Sequence, residues 1–160
     1  MVANELPERP VVTQTSAVSE GFSPAPAAPP AVTSIHHISL TATNLERSVA
    51  WYCDLLGLTK IMDEPHEGGR AVVLMQPQAG LFIGLHAHDA NAGERFVETR
   101  TGLDHVSLGV PNREVLVAWQ QRLAERGVVH SPIADVSYGS VLVLRDPDNI
   151  QLEFIAPAQG

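Results

Sequence analysis

At 160 residues the chain suits one domain, large enough to remove roughly two-thirds of its surface from water with no disulfide or metal staple. Its 18 Asp and Glu outweigh 10 Lys and Arg, and the net charge of −8 excludes nucleic-acid binding through a broad basic surface, because neutralising phosphates takes cations this chain lacks. A local basic pocket for a small anion stays open, and the single cysteine, Cys53, excludes an internal disulfide and fits a reducing, cytoplasmic compartment.

Residues 1–33 hold six of the twelve prolines, in runs such as SPAPAAPPAV, and show no apolar periodicity. Burial cannot offset the ordering entropy of such a segment, so a flexible tail is expected. It lacks the basic start and the apolar run of roughly 7 to 15 residues of a secretory signal. No segment elsewhere reaches the roughly 18 apolar residues that would span a bilayer, so no membrane partner is expected.

A first module is expected over residues 34–88. IHHISLTA alternates as a strand does, and TNLE reads as a capping box with Thr43 at the N-cap and Glu46 three residues on. The helix that follows should bury Leu45, Val49, Tyr52 and Leu56 and stop at Gly57. LTKIMD, RAVVLMQ and GLFIGLHAH are three further strands, parted by the turn-prone EPHEGG and PQAG. The polar linker, residues 89–101, has no periodicity and reads as a solvated connection, with a mobile lid as the alternative.

The second module, residues 102–157, follows the same plan. LDHVSLGV is a strand and PNREVLVAWQQRLAERG a helix closed by Gly127; VVHSPI, GSVLVLR and IQLEFI are strands, the last two joined by DPDN. In that turn Pro147 presets φ and Asn149 suits the left-handed conformation. Laying Ile35–Leu55 over Leu103–Leu123 gives nine identities in 21 positions, where ordinary residue frequencies give about one or two. The chain is therefore a duplicated β-α-β-β-β unit of α+β class.

Strand alternation assigns the faces. Ile38, Leu40 and Ala42 face the first helix, leaving His37, Ser39 and Thr41 outside; Val106, Leu108 and Val110 face the second, leaving His105, Ser107 and Gly109 outside. On the final strand Leu152 and Phe154 face the helices, and Glu153 faces away with Gln151 and Ile155. His37, His105 and Glu153 are the ligand types of a 2-His-1-carboxylate metal site. Periodicity alone does not bring them together, and satisfied polar groups at a sheet rim are an equal reading of the same pattern.

The doubled plan, the opening IHHISLTATNLERSVAWYCDLLGL and the closing LRDPDNIQLEFI resemble the vicinal oxygen chelate superfamily over roughly residues 34–157. That superfamily includes glyoxalase I, extradiol dioxygenases, fosfomycin-resistance transferases, methylmalonyl-CoA epimerase and the metal-free bleomycin-binding proteins. The resemblance implies a curved mixed sheet per module and a cup from two modules, built within one chain or, as homodimers often do, between two. It also implies one divalent ion, drawn from Fe, Mn, Zn, Ni or Co, held by His37, His105 and Glu153.

The departures from the family pattern bear on the reaction. Glyoxalase I enzymes place a glutamate on the fourth strand of the first module, as ligand and base; the internal repeat sets Gly84 opposite Glu153, so that slot is empty. Extradiol dioxygenases and the fosfomycin enzymes carry a tyrosine where this chain has Val143. His86 lies two residues beyond Gly84, roughly 6.6 Å along the strand, and an imidazole there suits a general base or, with local adjustment, a fourth ligand; a solvated strand-end histidine is the plain alternative. The leading expectation is a metal-dependent isomerase or lyase of the glyoxalase type, with a small substrate chelated through vicinal oxygens, His86 as catalytic base and Glu153 as ligand in the catalytic centre. An extradiol-type Fe(II) dioxygenase and a metal-free binding protein of the bleomycin-resistance type are the alternatives. His36, His66 and His130 read as structural or exposed.

Overall fold

The computed structural model describes residues 30–158, and the tail expected over residues 1–33 lies almost wholly outside them. A compact unit begins at Ser34 and contains both modules. Its elements are β1 (Ile38–Thr41), α1 (Leu45–Leu56), β2 (Thr59–His66), β3 (Gly69–Gln76) and β4 (Leu81–His88), then β5 (Val106–Gly109), α2 (Arg113–Glu125), β6 (Ala134–Val136), β7 (Gly139–Arg145) and β8 (Gln151–Pro157). Among the described residues no helix is long and apolar enough to cross a membrane.

Each module forms its own four-stranded mixed sheet, ordered β1-β4-β3-β2 in the first and β5-β8-β7-β6 in the second. The crossover through a helix makes β1 parallel to β4 and β5 parallel to β8; the other pairs are antiparallel hairpins. The duplication seen in the residues is thus a duplication of topology. Leu40, Ala42, Val106, Val110, Leu152 and Phe154 are buried beneath the helices, and one apolar cluster runs through both modules.

The first helix differs from its expected form at both its cap and its buried face. Asn44 is the N-cap, its side chain accepting from the amide of Arg47, while Thr43 donates through both its amide and its hydroxyl to Asp148. The buried face is Leu45, Ser48, Tyr52 and Leu55, with Val49 and Leu56 only half-buried. The β7–β8 turn causes this rotation: Ser48 donates 2.9 Å to Asp148 Oδ2 and Tyr52 donates 3.0 Å to Asp146 Oδ2. A buried carboxylate needs such donors, so the helix turns a serine inward to meet it.

The DPDN turn forms as expected, with Asn149 at φ 69° and Asp146 Oδ1 accepting from the amides of Asp148 and Ile150. VVHSPI is not a continuous strand; only His130 bridges to Leu144, and β6 begins later, at Ala134. Pro132 interrupts that stretch by removing an amide donor. β2 runs further than expected, to His66, so its hairpin with β3 turns on Glu67 and Gly68, where Gly68 takes φ 75°.

Candidate metal and proton-transfer site

The face of β5 and β8 turned away from α2 carries the second-module residues. Ser107 and Glu153 are register partners, and Ser107 donates a 2.6 Å hydrogen bond to Glu153 Oε1. His105 precedes β5 on the same parity, its Nδ1 2.5 Å from Asp104 Oδ1. An ionised carboxylate only accepts, so Nδ1 carries a proton, and in the neutral ring Nε2 keeps its lone pair. A half-exposed imidazole and a carboxylate therefore stand on adjoining strands, each with one polar atom engaged by protein.

Histidines cluster at the equivalent face of the first module. His37 precedes β1 and lies against His36, with Nδ1 atoms 3.0 Å apart, and His36 stacks on Phe82 with ring centroids 5.5 Å apart. His36 is exposed, as expected, with its ring held by these two contacts. His86 and His88 project from one face of β4 with near-parallel rings 5.9 Å apart, and His66 stands 5.6 and 5.5 Å from them.

Gly84 marks the difference between the modules. It pairs with Ser39 as Glu153 pairs with Ser107, but a Cβ built on it meets Ser39 Oγ at 2.5 Å and His86 Nε2 at 3.5 Å. The space left by the missing side chain is thus closed by the serine hydroxyl and the His86 imidazole. Partial burial, followed by His66, His88 and His37, holds the His86 imidazole below its ordinary pKa, which keeps it neutral and able to accept a proton.

Within one chain the three expected ligands do not meet. Among the described residues no group of three His, Cys, Asp or Glu side chains gathers as around an ion, and β1 and β5 edge separate sheets. Module two places His105 two residues before Ser107, the register partner of Glu153, while in module one His37 is near enough to His86 to act on its charge. The donor types fit a divalent ion, and the second-module pair has the oriented imidazole and carboxylate that such an ion requires.

A 350 Å³ cleft runs over this first-module face, lined by Ser39, Leu40, Thr41, His86 and His88. A second, of 310 Å³, shares Ser39 to Thr41 and is walled by the linker through Asn91, Arg95, Phe96 and Arg100. The linker is anchored: Glu98 forms a two-pronged pair with Arg145, at 3.0 and 2.6 Å, and the Phe96 amide donates to the Asp148 carbonyl. It is a fastened connection with one exposed wall. Asp104 escaped the reading of the residues, and Ser107 and His36 were placed without a role at the site; the repeat was the available signal, since 36 and 104 are equivalent positions.

Residues 34–154 match the Glyoxalase/Bleomycin resistance protein/Dioxygenase superfamily. The Bacillus subtilis (strain 168) protein MhqA, whose name includes the words ring-cleaving dioxygenase, is 28% identical over 124 residues, 77% of this chain and 39% of that protein. The chain spans about two-fifths of the length of the curated relatives it matches. A crystal structure of a glyoxylase/bleomycin resistance protein/dioxygenase domain from Frankia sp. EAN1pec superposes with a TM-score of 0.75 at 32% identity, over 80% of this chain and all of that one. The fold is also that of the fosfomycin resistance protein FosX from Listeria monocytogenes, a mutant of which was crystallised with Mn(II) and 1S,2S-dihydroxypropylphosphonic acid (TM-score 0.60, 21% identity, 80% of this chain and 93% of that one).

Proposed function

From the premise that this chain belongs to the Glyoxalase/Bleomycin resistance protein/Dioxygenase superfamily, we propose that it is a divalent-metal-dependent isomerase or lyase acting on a small substrate chelated through two neighbouring oxygens. His37, His105 and Glu153 are its ligands, and His86 is its base. The observation that carries this reading is the His105 and Glu153 pair, with Nδ1 committed to Asp104 and Oε1 to Ser107, so that Nε2 and Oε2 are left for an ion. Among the described residues no such set gathers within one chain, so we place its completion between two copies: His105 and Glu153 of one with His37 of the other. A homodimer is therefore part of the proposal.

Two imidazoles and a carboxylate leave up to three positions open on the ion, which when bound supplies Lewis-acid stabilisation of negative charge developing on the substrate oxygens. The chain's own residues do the rest. His86, uncharged near neutral pH, takes the proton beside the chelated carbonyl at a ring nitrogen and returns it at the neighbouring carbon. Ser39 and Thr41, exposed beside it, supply hydroxyls to orient the substrate. Fe, Mn, Zn, Ni and Co all accept this ligand set.

The likeness to MhqA favours a second reading, ring cleavage by an Fe(II) dioxygenase, because the same open positions take a bidentate diol and dioxygen. Against it, the residue facing Glu153 in register on β7 is Val143, which can neither donate nor accept a proton. Metal analysis of protein purified without chelator separates the readings. Zn, Ni, Co or Mn near one ion per chain, lost in Glu153→Ala, with no oxygen uptake on adding catechol, is the expected result. Iron with catechol-dependent oxygen uptake moves the assignment to the dioxygenase, and a metal-free native protein overturns both.

A further inference from the structure

We infer that the residue immediately before each ligand histidine is that ligand's positioning residue, Asp104 for His105 and His36 for His37, and that module two consequently anchors the ion while His37 is the exchangeable ligand. The inference rests on the ligand reading above and deepens it.

Asp104 and His36 are equivalent positions of the internal repeat, each 68 residues from the other copy. Each engages Nδ1 of the histidine that follows, at 2.5 Å for Asp104 and 3.0 Å for His36. A histidine that ligates through Nε2 must carry its proton on Nδ1, and a fixed acceptor there sets both tautomer and ring orientation. The duplication has kept a polar partner on Nδ1 at this position while its chemistry has diverged. In module two it is a carboxylate, which makes a charge-assisted bond roughly twice as strong as a neutral one and raises the basicity of the opposite nitrogen. In module one it is a second imidazole, whose Nδ1 accepts only in the tautomer that carries its own proton on Nε2, and which is held in turn by stacking on Phe82.

The same asymmetry appears one step along each strand. Ser107 fixes Oε1 of Glu153, whereas its repeat partner Ser39 faces Gly84 and has no carboxylate to hold. Module two thus presents two donors with both orientations set, and module one presents a single imidazole on a weaker acceptor. An ion held between copies would have His105 and Glu153 as its firmer donors and His37 as its weaker one. The Asp104 side chain is 72% exposed, so removing it leaves no cavity.

The test is the affinity of the full-length protein for Mn²⁺ and, separately, Zn²⁺, measured by competition with a chromogenic chelator. Asp104→Ala should weaken binding by about 10- to 100-fold, Asp104→Asn by less, and Asp104→Glu should recover most of it, all at an unchanged melting temperature. His36→Asn should cost less than Asp104→Ala. Ring ¹⁵N NMR of the metal-free protein at pH 8 should place the His105 proton on Nδ1 in the native chain and show a tautomer mixture in Asp104→Ala. If Glu153→Ala abolishes binding while Asp104→Ala leaves affinity and tautomer unchanged, the positioning role is wrong and the ligand assignment stands. If Glu153→Ala binds as tightly as the native chain, the ligand assignment itself fails.

Discussion

Tyr52, in the middle of α1, donates a 3.0 Å hydrogen bond to Asp146 Oδ2 at the head of the β7–β8 turn, joining the two modules through groups that are both buried. Burial, the largest influence, raises the Asp146 pKa against the lowering effect of its hydrogen bonds from Ile150, Tyr52 and Asp148. With a folded pKa above the unfolded one, Asp146 adds stability that is full below the ordinary aspartate range and is lost as pH rises through the folded value. At neutral pH it is thus a cost that its donors limit. Tyr52→Phe strands one oxygen and should lower unfolding stability by about 1–3 kcal/mol. Urea denaturation at pH 7 checks this, and an unchanged midpoint would show that water replaces the lost donor.

Asp148 is the second tie between modules, accepting from the Thr43 amide and hydroxyl, Arg47 and the buried Ser48. Arg47 is about half-exposed, so solvent screens its share; the loss comes mostly from stranding the Ser48 hydroxyl and freeing the start of α1. Asp148→Ala should cost about 2–3 kcal/mol, and Ser48→Ala in the same background should restore part of it. A double variant no more stable than the single one would place the cost elsewhere.

The linker should respond to acid. Arg145 holds the Glu98 carboxyl down at a pKa of about 2, below its unfolded value. The pair's stabilisation is therefore full above the ordinary glutamate range and is lost as pH falls from about 4.5 towards 2. Amide exchange around residues 94–98, corrected for intrinsic rates, should accelerate across that window before the strands do. Glu98→Gln should show the fast exchange at neutral pH, and exchange flat with pH would contradict the pairing.

Gly84→Ala should be destabilising, by about 1–3 kcal/mol, because the new methyl meets Ser39 Oγ at 2.5 Å inside a packed sheet. Ser39→Ala should relieve it. Thermal unfolding of the single and double variants reads this coupling, and strict additivity would mean that the serine is free to rotate away.

Much of the fold was legible because patterning and duplication agree: alternation placed Leu40, Ala42 and Val106 inward, and the DPDN turn with Asn149 was read from its turn chemistry alone. The misread details have a common origin in long-range polar contacts. Asp148 draws Thr43 and Ser48 to itself, so Asn44 becomes the cap and α1 turns Leu55 inward in place of Leu56. Such a partner 100 residues away leaves no local trace. At the site, residue type and parity singled out His37, His105 and Glu153, but periodicity says nothing of how two modules meet, so the separation of His37 from the other two within one chain was not readable.

The claim that a site is shared between copies is tested most directly by mixing two inactive chains. His37→Ala keeps His105 and Glu153 but holds an ion only loosely, and Glu153→Ala keeps His37 alone, so after desalting each homodimer should be empty of metal at the centre. Co-expressed and purified as a heterodimer carrying two different tags, they should regain one ion per dimer, half the native content. A heterodimer as empty as its parents, beside a native protein that holds metal, would mean that the three ligands meet within one chain and would contradict the account.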